Sequence, residues 1–185
     1  DHLDYHKNFK EYFKAKQYLF ENLIRKKGNV IADETIPEFK RIKKIAISRK
    51  LKVQTLNNNK NQLQILSHSF KGDKQILKIK YNNLTREVNL NLIGKIQLKN
   101  ILMAILAAKN SNLSLIKILN VLSKLKPIDG RFEKIGKIKN KSRVILDYAH
   151  TPDALRICLS NLKEQFPNKK IILLFGCGGN RDQNK

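Results

Sequence analysis

Val144-Ile145-Leu146-Asp147-Tyr148-Ala149-His150-Thr151-Pro152-Asp153-Ala154 is the stretch that decides how this chain folds. Its three leading apolar residues read as a short buried strand ending at Asp147. Thr151 then offers an N-cap oxygen, Pro152 suits the first helical position, and Asp153 places a negative charge beside the positive end of the helix dipole. Leu155, Cys158, Leu159, Leu162 and Phe166 continue on one helical face. Residues 170–175 form a second apolar run, leading into Gly176-Cys177-Gly178-Gly179. Strand, loop, helix, strand and loop in this order predict a βαβ start, so a parallel α/β domain opens near residue 130. Just before it, Lys126-Pro127-Ile128-Asp129-Gly130 breaks the preceding helix and reads as a linker.

Upstream, residues 8–27 read as a helix with the stripe Phe9, Tyr12, Phe13, Leu19, Phe20, Leu23 and Ile24. Lys16 falls on that stripe, a cation where the pattern asks for an apolar residue, and this marks either snorkelling or function. Strands are expected at residues 29–33 and 44–48. Partial alternation over residues 62–67, 75–81 and 86–92, with Asn82-Asn83 as a turn, predicts an antiparallel meander. Two amphipathic helices follow, one carrying Leu98, Ile101, Leu102 and Ile105, the other Leu115, Ile118, Leu119 and Leu122. No internal repeat interrupts the order.

The 185 residues, 41% of them hydrophobic, suffice for one ordinary domain or two small ones with a core, and this composition argues against disorder. No apolar run is long enough for a membrane span. The chain starts without a methionine or a signal segment and stops just after a glycine-rich loop, so it reads as an internal piece of something longer. Lys and Arg number 38 against 15 Asp and Glu, a net charge of +23. Between Lys40 and Lys126 the only acids are Asp73 and Glu87. A polyanion-binding module is the reading such charge invites, and it predicts nucleic-acid affinity that falls steeply with salt. Aromatic residues for base stacking are few in that stretch, and a solvated lysine-rich surface accounts for the charge, so no nucleic-acid partner is expected. Two cysteines without paired spacing, Cys158 and Cys177, fit a reducing cytoplasm.

Ligands of parallel α/β sheets bind at loops following the carboxyl ends of strands. Two such loops are expected, residues 147–153 and 176–182. The first joins a carboxylate and an imidazole to a helix N-terminus able to face an anion. The second ends in Arg181, whose guanidinium can fork onto a carboxylate or phosphate. A dinucleotide glycine pattern is not matched. At the other end His2, Asp4 and His6 alternate before the helix bearing Lys16, a grouping that could hold a divalent metal or be a polar lead-in to a helix.

These motifs resemble the Mur ligase family. Asp1-His2-Leu3-Asp4-Tyr5-His6 with Tyr12-Phe13-Lys14-Ala15-Lys16 is similar to its central domain. Arg131 after Gly130, residues 147–154 and Phe175-Gly176-Cys177-Gly178-Gly179-Asn180-Arg181-Asp182 resemble the branch that adds the third residue of the peptidoglycan stem peptide. The resemblance implies an α/β chain: residues 1–128 as part of a P-loop-type central ATPase domain, and residues 129–185 as the start of a Rossmann-like C-terminal domain. It implies a cytoplasmic, monomeric ligase using ATP and Mg2+, with a UDP-N-acetylmuramoyl dipeptide and a diamino acid as substrates. Lys16 matches the lysine that becomes a carbamate and holds magnesium, and His2 matches a magnesium ligand. Asn100 matches an adenine-contacting asparagine, although Ile96 and Gln97 stand where the family has an aromatic residue and an asparagine. Arg131 matches the arginine reaching the ATP phosphates, Asp147 and His150 the nucleotide-facing loop, and Arg181 the contact to the incoming amino acid. Asn180 stands where the family commonly has aspartate. The phosphate-cradling G-x-x-x-x-G-K-[ST] pattern is absent from these residues, so this piece is expected to be inactive alone. Folylpolyglutamate synthase shares the architecture, but its matching loop usually carries asparagine where Thr151 stands.

Overall fold

Asn8 caps the first helix: its side-chain oxygen accepts a hydrogen bond from the Glu11 backbone N–H at 3.0 Å, which satisfies one of the helix's orphan donors. In the computed structural model, which describes residues 6–56, 63–138 and 142–176, α1 (Phe9–Tyr18) runs into a π-helical turn, Leu19–Leu23. The helix therefore ends short of the expected residue 27. Its inner stripe is also different. Phe13, Phe20 and Ile24 pack on the core, Gln17 is buried on the same face, and Phe9, Leu19 and Leu23 are exposed. A polar residue in the middle of the stripe disguised it in the sequence. Lys16, one position away, is exposed rather than directed into apolar surroundings.

The contacts divide the chain into two units. The first comprises Asp1–Gln64, Ile79–Thr85 and Lys99–Ile118; the second comprises Ile65–Lys78, Arg86–Leu98 and Leu119–Lys185. In the first, β1 (Asn29–Ala32) pairs in parallel with β2 (Lys52–Thr55), Val30 opposite Val53. A parallel pair needs a crossover, and α2 (Phe39–Ser48) supplies it. The strand expected at residues 44–48 is thus the second half of a helix. Ile42 and Ala46 lie one turn apart and are buried with Val30, Ala32 and Leu51, Phe39 packing beside them. Isoleucines at 45 and 47 mimicked a strand, but the spacing of Phe39, Ile42 and Ala46 is helical.

β3 (Gln64–Lys71), β4 (Lys74–Tyr81) and β5 (Leu84–Leu90) form a three-stranded sheet in that order. Their two-residue connections make the neighbours antiparallel, as expected of the meander, and Asn82 takes the left-handed backbone of a tight turn at φ 52°. On β4, Gln75, Leu77 and Ile79 are buried while Lys74, Lys78 and Lys80 are exposed. This alternation puts the lysines outside and accounts for part of the charge. α3 (Ile96–Asn110) buries Leu98, Ile101, Leu102, Ile105 and Leu106, and α4 (Leu115–Val121) buries Leu115, Ile118 and Leu119.

In the second unit β6 (Glu133–Lys137) pairs antiparallel with β7 (Arg143–Leu146), Glu133 opposite Leu146. β7 is the strand expected before Asp147, but it is half-exposed, with Val144 and Leu146 open to solvent. α5 (Pro152–Gln165) begins where its cap chemistry places it, with Thr151 Oγ1 accepting from the Ala154 N–H. The strand expected at residues 170–175 is not formed: that segment carries no strand pairing, and Ile172 and Leu174 are exposed. A strand exists only through hydrogen bonds to a neighbour, and no described residues pair with this run. Among the described residues, the parallel pairing expected at the C-terminal side is found instead in β1 and β2.

Candidate functional site

Three of the expected site residues come together in the second unit, around the turn before β6 and the loop after β7. Ile128 O accepts from the Arg131 N–H at 2.9 Å, and Glu133 Oε2 accepts from the Gly130 N–H at 2.7 Å. Gly130 and Phe132 both adopt positive φ, 68° and 47°, so the chain reverses sharply here. Phe132 is driven into a cluster with Ile93 and Cys158, flanked by Ile145, Ala149, Leu162 and Phe166. Burying that ring leaves its neighbour Arg131 exposed, with the guanidinium 5.1 Å from the centre of the Tyr148 ring. A cation over a tyrosine face is held in place without losing its free N–H donors.

Asp147 fastens the two segments. Its Oδ2 accepts from the Phe132 N–H and its Oδ1 from the Ala149 N–H, both at 2.9 Å. The carboxylate thus works as a backbone clamp that sets the Arg131 turn against the Tyr148–His150 loop. His150 Nδ1 lies 2.8 Å from the Tyr148 carbonyl oxygen. A carbonyl only accepts, so Nδ1 carries the proton and Nε2 is the acceptor of the neutral ring. The Tyr148 and His150 rings meet edge to face at 4.8 Å. One arginine, one imidazole nitrogen and the N-terminus of α5 therefore share a small region, an arrangement suited to phosphate and hydroxyl groups of a nucleotide.

Lys16 and Asn100 belong to the first unit. Lys16 Nζ lies 5.4 Å from the centre of the Tyr12 ring. Asn100 is exposed on the second turn of α3, beside Lys99, whose Nζ donates to Asp33 Oδ2 at 2.6 Å and Thr35 Oγ1 at 3.0 Å. Burial alone would raise the Asp33 carboxyl, but hydrogen bonds from Lys99 and Thr35 outweigh it and hold the group below its ordinary value. His2 and Arg181 lie outside the described residues. No group of three or more His, Cys, Asp or Glu able to hold a metal occurs among the described residues. Magnesium prefers hard oxygen donors, which an unmodified lysine amine is not.

A second set of polar residues went unrecognised in the sequence. Gln75 and Gln165 are both buried. Gln75 Nε2 donates to the carbonyls of Leu92 and Gly94 at 2.9 and 3.0 Å, and Gln165 joins Gly94 to Gly72. The available signal was Gln165 standing two turns beyond Cys158 on the apolar face of α5. A groove of about 720 Å3, lined by the polar residues Lys71, Asp73, Lys74, Asn89, Asn91, Ser123 and Arg143, lies in the same unit. Its arginine is already engaged by Asp73.

The description Mur ligase middle domain matches residues 1–108, and Mur ligase, glutamate ligase domain matches residues 130–185. The UDP-N-acetylmuramoyl-L-alanyl-D-glutamate--2,6-diaminopimelate ligase of Rickettsia bellii is 35% identical over 187 residues, covering all of this chain and 38% of that protein. The ligase of the same name from Agrobacterium fabrum is 32% identical with the same coverage. This chain thus spans less than two-fifths of the length of these relatives. A solved structure of a ligase of that name superposes with a TM-score of 0.70 at 27% identity, covering 98% of this chain and 37% of that one. A folylpolyglutamate synthase variant from L. casei superposes at 0.66 and 19% identity, over 89% of this chain and 40% of its own, which shows a shared fold alone. The chain, matched over more than half its length by the middle domain and from residue 130 onward by the glutamate ligase domain, belongs to the Mur ligase family.

Proposed function

We propose that this chain is part of a cytoplasmic, monomeric ligase of peptidoglycan synthesis. It uses ATP to join the terminal glutamate carboxylate of UDP-N-acetylmuramoyl-L-alanyl-D-glutamate to the amine of a diamino acid, meso-diaminopimelate or L-lysine, through an acyl phosphate. The observation that carries this reading is 35% identity across the whole chain to a ligase named for that substrate pair. Residues 1–128 belong to its central ATPase domain and residues 129–185 open its C-terminal domain.

Within this reading Arg131 meets the nucleotide phosphates, where fixed cations stabilise charge that spreads over phosphoryl oxygens. The stacking on Tyr148 keeps that cation in one place. His150 offers Nε2 to the nucleotide, Asn100 contacts adenine, and Arg181 takes the carboxylate of the incoming amino acid. Asp147 contributes through the backbone clamp, which keeps Arg131 and His150 on neighbouring turns. Lys16 becomes the carbamate that, with His2, holds magnesium.

The test is made in the full-length protein. ADP release should require ATP, the muramoyl dipeptide and a diamino acid together, and Lys16→Ala should lower turnover by about a hundredfold or more, the scale of removing one transition-state electrostatic contact. Turnover with a folate in place of the muramoyl dipeptide would move the assignment to a folylpolyglutamate synthase-like ligase. Unchanged turnover of Lys16→Ala at low carbon dioxide would remove the carbamate role.

A further inference from the structure

The N-terminus of α3 has no cap of its own. Gly94 and Lys95 precede Ile96, and neither side chain can accept a hydrogen bond. The acceptors come from α5, more than sixty residues away in sequence. Asn161 Oδ1 accepts from the Ile96 N–H at 2.9 Å, and Gln165 Oε1 accepts from the Gly94 N–H at 2.9 Å. Lys95 Nζ, between them, donates to Glu164 Oε1 at 3.0 Å. Three consecutive residues at the start of one helix are thus held by three side chains on the last turns of another.

Each amide is oriented by its second partner. Asn161 Nδ2 donates to the Ile157 carbonyl at 2.8 Å, and Gln165 Nε2 donates to the Gly72 carbonyl at 3.0 Å. The oxygens are therefore the atoms turned toward the α3 amides, as acceptors must be. Gly94 is gripped from the other side as well, by Gln75 Nε2 on its carbonyl. Gln75 is in turn fixed by His68, whose Nε2 lies 2.9 Å from Gln75 Oε1. Side chains committed at both ends and buried at Gln75 and Gln165 fix the position of what they hold.

We propose that Asn161 and Gln165 are positioning residues for the nucleotide site: they cap α3 from α5 and so set where Asn100, one turn after Ile96 on the same helix, meets the adenine. This rests on the reading of Asn100 given above. It couples the docking of α5 to nucleotide affinity through one helix end, with no contact between Asn161 and the nucleotide.

The experiment compares steady-state kinetics of the full-length ligase with Asn161→Ala, Asn161→Asp and Asn100→Ala, together with hydrogen exchange at the Ile96 amide. Asn161→Ala should raise KM for ATP roughly fivefold, the effect of one lost cap, with kcat and KM for the diamino acid within about twofold. Asn161→Asp keeps the acceptor and should return KM for ATP to near its original value. If Asn161→Ala does not fold, Asn161→Gln, which keeps the polarity but displaces the acceptor by one methylene, should show the same rise. Unchanged KM for ATP alongside faster exchange at Ile96 would make the cap purely structural and overturn the proposal. If Asn100→Ala also leaves KM for ATP unchanged, the error lies in the adenine assignment, and the proposal falls with it.

Discussion

Cys158 lies on the inner face of α5 among Ile93 and Phe132. Burial first, and then the negative charge of Asp147, push its thiol up to about 11. Only about one molecule in a thousand then carries the reactive thiolate at pH 8. Iodoacetamide at pH 8 should therefore label Cys158 roughly a hundredfold more slowly in folded than in urea-unfolded protein, as mass spectrometry of the peptide would show. The residue-level chemistry of the loop beside it was legible early. Asp147, His150, Thr151 and Pro152 each have properties that hold in any setting: a carboxylate accepts, a threonine caps, a proline starts a helix. What a lone residue cannot reveal is its direction. Lys16 looked buried because its neighbours at 12, 13 and 20 are aromatic, but the inward position is that of Gln17. A rotation of one residue, about 100° around the helix, separates the two.

At the level of elements, Gly94 shows why one glycine is needed. Its φ is +88°, and a Cβ there would sit 3.3 Å from the Phe132 ring edge. Gly94→Ala should destabilise the protein by about 1–2 kcal/mol from backbone strain alone, read as a lower urea midpoint at unchanged slope. Elements with strong local signals matched expectation: α5 from its cap, the meander from its alternation, α3 and α4 from their periodicity. α2 did not, because a short apolar run with isoleucines fits a strand or a buried helix equally well from within. The need for a crossover between β1 and β2 decided it, and that need arises only once the two strands pair. The run at 170–175 shows the converse. Its β-branched and apolar composition favours a strand, but a strand also needs an edge to pair with.

At the scale of the whole molecule, distant segments of the second unit are held by charge as well as by apolar packing. Asp73, on the β3–β4 turn, is bound by Lys134 of β6 and Arg143 of β7. Burial would raise its carboxyl, but the hydrogen bonds from Lys134 and Arg143 prevail and lower it from 3.8. A carboxyl lowered in the folded state adds stability that is present above its unfolded value and disappears as pH falls through the folded one. Asp73→Asn should therefore lower the urea midpoint at pH 7 and shrink its drop between pH 5 and pH 2. A part of the acid sensitivity should persist through Asp33, which is shifted the same way. Composition, cap residues and hydrophobic period, all local properties of the chain, were enough by themselves to establish a mixed α/β architecture, the start of α5 and the loop that follows β7, while the motifs at residues 1–16, 147–154 and 175–182 carried the resemblance to one ligase family. Which side of α1 faces inward, which strands pair in parallel, and that Asn161 and Gln165 complete a helix begun some seventy residues earlier were decided by tertiary structure. The physical reason is that burial and hydrogen-bond satisfaction are properties of pairs of segments, and the partner of a segment is set by how the whole chain closes around it.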